Sequence, residues 1–436
     1  MPIQSQPPTF IIDNGAHSIK AGFGTSDQAP VTYPNWIARS RDRKIYVADE
    51  YTTQCQDESG VVFRRPFERG HLTSWETQNV IWDRLFANLK VNPADSGLTL
   101  TEPILTMPSC SNNTDQIVFE EYGFAAYYKT SASVLAYENE NAGSLIASHE
   151  GDESPPQVVG RPDTVLVIDS GYSATTITPI ISNLVYRPGI KRLNIGGKLL
   201  RNLLKETISY RHYNMMEDSE IVNHIKEQAC LVSSNFTADL EISKKLSISK
   251  NPLRVDYVLP RATPSGFVPG HVRDSSAVPS SSSSSLSTQS QDEQVLQLVN
   301  ERFSIPEVLF NPQDIGIQQA GLPEAVLQAT NAVPDEDVRA LLLSNIIVIG
   351  GNTKFPGFSE RLRNELRVLA PGDVNLRLGF PDDPITYAWH GGASLASRKA
   401  KLKQRQVTRK EYQEYGINAC LKKFGRLDDD VEDGGF

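Results

Sequence analysis

The sequence predicts an α/β protein built from two related halves, and three observations carry that prediction. FIIDNGAHSIKAGFG (Phe10–Gly24) reads as strand, glycine turn, strand. VLVIDSGYSATTITPI (Val165–Ile180) repeats the pattern, again with Asp-x-Gly at the turn. Around both, apolar strands alternate with segments of helical period, the signature of mixed α/β layers. The two turns, Asp13-Asn14-Gly15 and Asp169-Ser170-Gly171, lie too far apart for a solenoid repeat and suit two similar halves, each opening on a hairpin.

The elements follow in order. After the second hairpin, Leu199, Leu200, Leu203, Leu204 and Ile208 have helical spacing, predicting a helix that starts just after Gly196-Gly197. A third glycine pair ends the apolar strand of NIIVIGGNTKFPGFSERLRNEL (Asn345–Leu366), again before a helical pattern. Two segments break the alternation. Ala142–Asp163 is polar and proline-rich, and Ala262–Gln294 holds six serines at Ser280–Ser285. Neither can bury enough apolar surface to offset its ordering entropy, and both read as mobile surface insertions. LDDDVEDGGF reads as a solvated acidic end.

Bulk properties exclude several classes. At 436 residues the chain has room for two or more structural units, and 39% hydrophobic with 22% charged residues is ordinary globular composition. A net charge of -9 gives no global attraction to nucleic acid or anionic membrane. No apolar run approaches the roughly 18 residues that span a bilayer, and MPIQSQPPTF lacks the regions of a secretory signal. Cys55, Cys110, Cys230 and Cys420 are scattered, which suits reduced thiols in the cytosol or nucleus rather than a disulfide framework. His17, His71, His224 and His390 lack metal-ligand spacing, and no Ser/His/Asp arrangement is legible.

The glycine turns carry the chemistry. Glycine admits positive φ and close backbone approach, so successive N–H groups can form an anion-binding nest. A helix starting after Gly196-Gly197 or Gly351 would add its dipole. Asp13 and Asp169, at strand ends, could hold a water-coordinated Mg²⁺. Lys20, on the returning strand, could reach a phosphate. One such turn alone is a tight turn and no more; three together point to a nucleotide.

These junctions resemble the actin family, over nearly the whole chain outside the two insertions. FIIDNGAHSIKAGFG is similar to that family's first phosphate loop and VLVIDSGYSATTITPI to its second. ERFSIPEVLFNP, NIIVIGGNTKFPGFSERL and WHGGASLAS are similar to its later landmarks. FRRPFERGHLTSWE, KETISYRHYNMM, EIVNHIKEQ, DYVLP and VTRKEYQEYG resemble one nuclear class within it, whose members are subunits of the chromatin remodeller that replaces histone 2A with its Z variant. The resemblance implies an actin-like ATPase-domain fold, two α/β domains around a nucleotide cleft: 1–164 with 372–436, and 165–371. It implies ATP or ADP with Mg²⁺ as a structural ligand, a nuclear location, and partners: a Swi/Snf-type remodeller ATPase, a zinc-HIT subunit, and nucleosomal DNA through the complex, with no membrane.

Carried over residue by residue, the resemblance places Asp13, Gly15 and Lys20 in the first loop, with Ala16 where the family has a phosphate-contacting Ser. Asp169 and Gly171 fall in the second, where Tyr172 and Ser173 replace Asp-Gly. Gly196 and Gly197 fall on a nucleotide-side turn, Lys226 and Glu227 beside adenine and ribose, and Gly350, Gly351 and Phe355 in the adenosine motif. The family orients its attacking water with a Gln and a His; here those positions fall at Ala132 and Thr176. Such hydrogen bonds supply much of the catalysis in phosphoryl transfer, so ATPase activity is expected to be absent or residual. The mobile filament loop near 40–48 is cut short in ARSRDRKIYVADE, implying no self-polymerisation. An active ATPase of the same superfamily and a nucleotide-free pseudo-actin stay open as alternatives.

Two further segments carry expectations. RKAKLKQR (Arg398–Arg405) has five basic residues among eight and reads either as a solvated helix end or as a phosphate-touching or import segment. In YRHYNMM, His212 and Tyr213 read as a partner surface and Met215-Met216 as core filler.

Overall fold

Each Asp-x-Gly turn closes an antiparallel hairpin at the centre of its own sheet. In the first, Thr9–Asn14 pairs with Ser18–Phe23, and Asp13 lies opposite Lys20. Thr9–Asn14 also pairs in parallel with Gly97–Thr101, which pairs in parallel with Ala126–Thr130. Val31–Pro34 and Val407–Thr408 complete this sheet. In the second, Val165–Ser170 pairs antiparallel with Thr175–Ile181 and parallel with Ile346–Ile349. The topology is therefore repeated. The computed structural model describes residues 7–24, 29–55, 60–147, 160–263, 266–273 and 293–425.

The central strands read as continuous apolar runs because both faces are covered. Phe10, Ile11 and Ile12 are fully buried, as are Val165, Leu166, Val167 and Ile168. One core lies under the second hairpin, around Leu200, Leu204, Ile208, Phe358 and Leu362. Another lies under the first, around Trp82, Phe86, Phe124 and Tyr127. A third, with Leu135, Val165, Val167, Ile347 and Tyr387, joins the two sheets. The helix Tyr387–Ser397 anchors the first hairpin through Trp389, whose Nε1–H donates to Ile11 O at 3.2 Å.

Several expectations change. Leu378–Gly379 pairs with Ile346–Ile349, so the chain leaves the second sheet beyond Gly379 rather than at 372. The first insertion does not start at Ala142: Ala142–Ala147 is a helix with Ala142 and Ile146 buried, and Arg161 is anchored by an ion pair. What remains of that expectation, 148–159, lies outside the described residues. The second insertion opens on paired strands, Arg261–Thr263 with Gly266–Val268, then His271–Val272 with Val255–Val258. Its residues 274–292, with the serine run, and the acidic end 426–436 lie outside the described residues.

The helix expected after Gly196-Gly197 spans Gly197–Arg211, with Leu200, Leu204 and Ile208 buried. No α-helix starts at Gly351. A 3-10 turn, Gly351–Lys354, comes first, and the helix Phe358–Leu369 begins behind Gly357 at φ 84°. The short filament-loop segment is a tight hairpin between Ile37–Arg39 and Ile45–Val47, closed by Ser40 N–H to Lys44 O. In YRHYNMM, Met215 is core, whereas Met216, Tyr213 and Tyr210 are exposed.

Candidate functional site

The two turns face each other across a cleft of about 740 Å³, within the range of small-molecule sites. Asp13, Gly15, Ala16 and Lys20 line one side; Asp169, Gly171 and Tyr172 line the other. Gly197, Lys226, Glu227, Gly350, Gly351 and Phe355 line it as well, as do Ala132 and Thr176. Gly196 does not. It backs the second turn so closely that a Cβ there would lie 2.6 Å from Tyr172 O and from Ala174 N. It is a close-approach glycine, not a cleft residue.

The first turn is held by hydrogen bonds to uncharged side chains. Thr101 Oγ1 donates to Asp13 Oδ1 at 2.8 Å and accepts the Asn14 N–H at 2.8 Å. Asn35 Nδ2 donates to Gly15 O at 2.9 Å, and Gln78 joins Asn14 and Asn35 in the same buried network. Lys20 Nζ lies 3.4 Å from Asp13 Oδ2 and from Ser18 O. Its partners are loose, which leaves the ammonium available to an anion.

The second turn is braced from behind. Gly197 N–H donates to Gly171 O at 3.0 Å and Lys198 N–H to Tyr172 O at 2.8 Å. Two free donors of the helix Gly197–Arg211 are therefore used on the loop, so its dipole stiffens the turn instead of meeting a phosphate directly. Asn352 Nδ2 donates to Gly171 O at 2.8 Å. Gly350, at φ 100°, lies where a Cβ would be 2.3 Å from Ser170 O, so only glycine fits.

Asp169 carries the electrostatic mark of a metal site. Burial, and then the like charge of Asp13, push its pKa up to about 7, with Lys20 opposing. Two carboxylates held together in this way fit a divalent cation with hard oxygen ligands, which would remove the repulsion. On the opposite wall, Lys226 Nζ donates to Asn223 Oδ1 at 2.9 Å, and Asn223 Nδ2 donates to Glu227 at 2.7 Å. Burial lowers the Lys226 pKa.

The Tyr172 ring is held among aromatic and basic groups. It packs against the His17 imidazole at 4.9 Å between centroids. The Arg65 guanidinium lies 5.0 Å from its centre and that of Arg201 5.8 Å. Arg65 Nη2 donates to Glu220 Oε1 at 2.6 Å, and Arg201 Nη1 is 3.6 Å from the same oxygen. Arg65 and His17 belong to the first half, and Tyr172, Arg201 and Glu220 to the second. The group therefore bridges the cleft. Beside it, Arg192 reaches across to His71 Nε2 at 3.5 Å and donates to Arg69 O. Burial, then the neighbouring Arg65, pushes the His17 pKa down to about 3, so its ring is neutral.

Thr101, Asn35, Asn352, His17, Arg65, Arg192, Arg201 and Glu220 were not singled out for this site from sequence. His17 and Asn352 lie inside the glycine-turn motifs themselves, whereas the others are brought in by long-range contacts that no local signal marks.

At the hydrolytic positions, Ala132 opens the helix Ala132–Glu138 and Thr176 lies opposite Asp169 in the hairpin. Ala132 offers no side-chain donor or acceptor. Among the described residues, no group of three or more His, Cys, Asp or Glu could hold a metal. The basic run is no open stripe: Arg398, Lys401 and Arg405 converge on Glu138.

Comparison with known proteins agrees with this geometry. The actin family model matches residues 4–425. "Actin-like protein arp6" of Aspergillus fumigatus is 40% identical over 454 residues, covering 98% of this chain and 96% of its own. "Actin-related protein 6" of Neurospora crassa is 41% identical, covering 96% and 95%. Its namesake in Drosophila melanogaster is 37% identical, covering 95% and 98%. The chain belongs to the actin family, carries its α/β fold, and falls among the proteins named actin-related protein 6.

Proposed function

We propose that this actin-related protein is a structural, non-catalytic subunit of a nuclear chromatin remodeller that exchanges histone 2A for its Z variant. The resemblance of FRRPFERGHLTSWE and KETISYRHYNMM to that nuclear class supports the setting. The observation that carries the non-catalytic reading is Ala132 in the cleft, with Thr176 beside it, where a water-orienting pair would be needed.

In this reading ATP or ADP with Mg²⁺ is an internal brace. Asp13 and Asp169 would hold the metal, Lys20 and the Gly15 and Gly171 turns the phosphates, and Lys226, Glu227, Gly350, Gly351 and Phe355 the adenosine end. The bound group supplies charge that offsets the Asp13–Asp169 repulsion, and binding to the folded state alone stabilises it by mass action. The residues of the chain do the rest. The Arg65–Glu220 pair and the His17–Tyr172 contact hold the two halves together over the cleft. The braced body docks a Swi/Snf-type remodeller ATPase and a zinc-HIT subunit, meets nucleosomal DNA through them, and does not polymerise.

Extraction of nucleotide from native protein, together with a turnover assay, tests the reading. ATP or ADP at close to one per chain with negligible turnover is expected. Turnover as fast as filamentous actin, or no nucleotide, overturns it. Tagged purification from nuclear extract is expected to recover both named partners.

A further inference from the structure

Glu138 is a carboxylate with more cations than it can neutralise. Its side chain is 1% exposed, at the end of the helix Ala132–Glu138. Arg161 lies 2.6 Å from it, Arg398 and Lys401 each 2.8 Å, and Arg405 2.9 Å. Two further acids lie at its edge: Glu140 accepts from Ser397, and Asp163 accepts from Asn183, which also accepts from Arg161. Arg398 and Lys401 remain about one-third exposed, and Lys399 and Lys403 on the same short helix are exposed. Among the described residues, this face is left with a surplus of positive charge. The cations also repel one another. Burial, and then Arg405 and Arg161, pull the Lys401 pKa down against the lift from Glu138.

The described chain ends beside this face. Lys423 Nζ donates to Gln406 O at 2.6 Å, directly after Arg405. Phe424 packs on Tyr127 and Tyr128, and the Tyr128 phenol feels the Arg405 charge. Gly425 therefore emerges at the end of the helix Lys399–Arg405. The sequence that follows reaches Asp428, Asp429, Asp430, Glu432 and Asp433 within a few residues. An extended chain covers about 3.3 Å per residue, so three residues span the roughly 10 Å length of that helix.

We propose that the acidic segment Asp428–Asp433 docks on the face formed by Arg161, Arg398, Lys401 and Arg405. Its carboxylates supply the missing counter-charge around Glu138. Docking also shields these cations from nucleic-acid phosphate, so displacing the segment exposes a basic face on an otherwise acidic protein.

The test uses the full chain and a variant carrying Asp428→Asn, Asp429→Asn, Asp430→Asn, Glu432→Gln and Asp433→Asn. A fluorescent Leu427–Phe436 peptide is added to each at low salt. The variant is expected to bind it at least tenfold tighter than the wild type, where the attached segment competes, and to lose it near 1 M salt, where the Debye length is about 3 Å. Duplex DNA is expected to follow the same order. Zero-length carbodiimide coupling of the wild type is expected to join Lys399, Lys401 or Lys403 to residues 428–433. Equal peptide binding by both proteins overturns the proposal, and so does binding by neither. Equal DNA affinity shows an open face that the segment never covers, which also overturns it. So does coupling of the segment only to lysines away from this helix.

Discussion

The two glycine-turn hairpins share a topology and differ in what holds them. The first is set in a network of uncharged side chains: Thr101 on Asp13, with Asn35 and Gln78 around Asn14 and Gly15. The second is pinned from behind by a helix start and by Asn352, and it sets Tyr172 in a cluster of arginines. One hairpin keeps the polar parts of a phosphate loop. The other carries a ring that packs on His17 and Arg65 from the first half. One topology can thus be held by a polar network in one copy and by a helix start and a cross-cleft ring in the other.

Four experiments sharpen or break that contrast. The largest effect is expected from Asp13→Asn, which removes the charge facing Lys20 and a charge-assisted bond worth about 2–3 kcal/mol. Mg-ATP affinity by calorimetry is expected to fall about 100-fold. An unchanged affinity would show that the first hairpin is not the binding wall.

The second concerns pH. The His17 pKa is about 3 in the fold against 6.5 for a free imidazole. Between those values the unfolded chain binds the extra proton, so the His17 contribution to stability falls as pH drops below 6.5, opposed by Asp169, whose raised pKa acts the other way. The loss is on the order of 2 kcal/mol at pH 5. His17→Gln is expected to flatten that limb in urea titrations; an unaltered limb would place the proton uptake elsewhere.

Third, Ala132→Gln combined with Thr176→His restores the two water-orienting groups. ATP turnover is expected to rise at least tenfold, equivalent to about 1.4 kcal/mol of barrier. No rise would mean that the second hairpin blocks hydrolysis by another route.

The smallest effect is expected from Tyr172→Leu. It keeps bulk but removes the cation–π contacts, costing about 1 kcal/mol. Nucleotide release, followed by fluorescence, is expected to quicken several-fold. If release is unaffected, Tyr172 is packing and not part of a clasp.

Much of this was legible in the sequence because the carriers are local. An Asp-x-Gly turn between two apolar strands specifies a hairpin within some sixteen residues, so Asp13, Lys20, Asp169 and Gly171 could be assigned to facing turns before any fold was known. The placing of Ala132 and Thr176 rested on the family resemblance, and both line the cleft. Boundaries of polar stretches were less legible. Ala142–Ala147 looked like part of an insertion, yet Ala142 and Ile146 pack into the core joining the two sheets. Composition over a window cannot see two buried residues at its edge.

What only the tertiary structure decided are contacts between residues far apart in the chain. Arg65 meets Glu220 across 155 positions, and Arg405 meets Glu138 across 267. No periodicity links such pairs: Arg65–Glu220 forms only when the two halves close on the cleft, and Arg405–Glu138 only when the chain returns to the first half after leaving the second. The sequence by itself determined the doubled hairpin and the polar turns, both set by backbone conformation and side-chain chemistry within one element. The fold alone decided that Tyr172 leans on Arg65, that Gly196 supports a loop rather than a ligand, and that a basic run closes on one buried carboxylate. Each of these depends on which charge or backbone atom another element brings within a few ångströms.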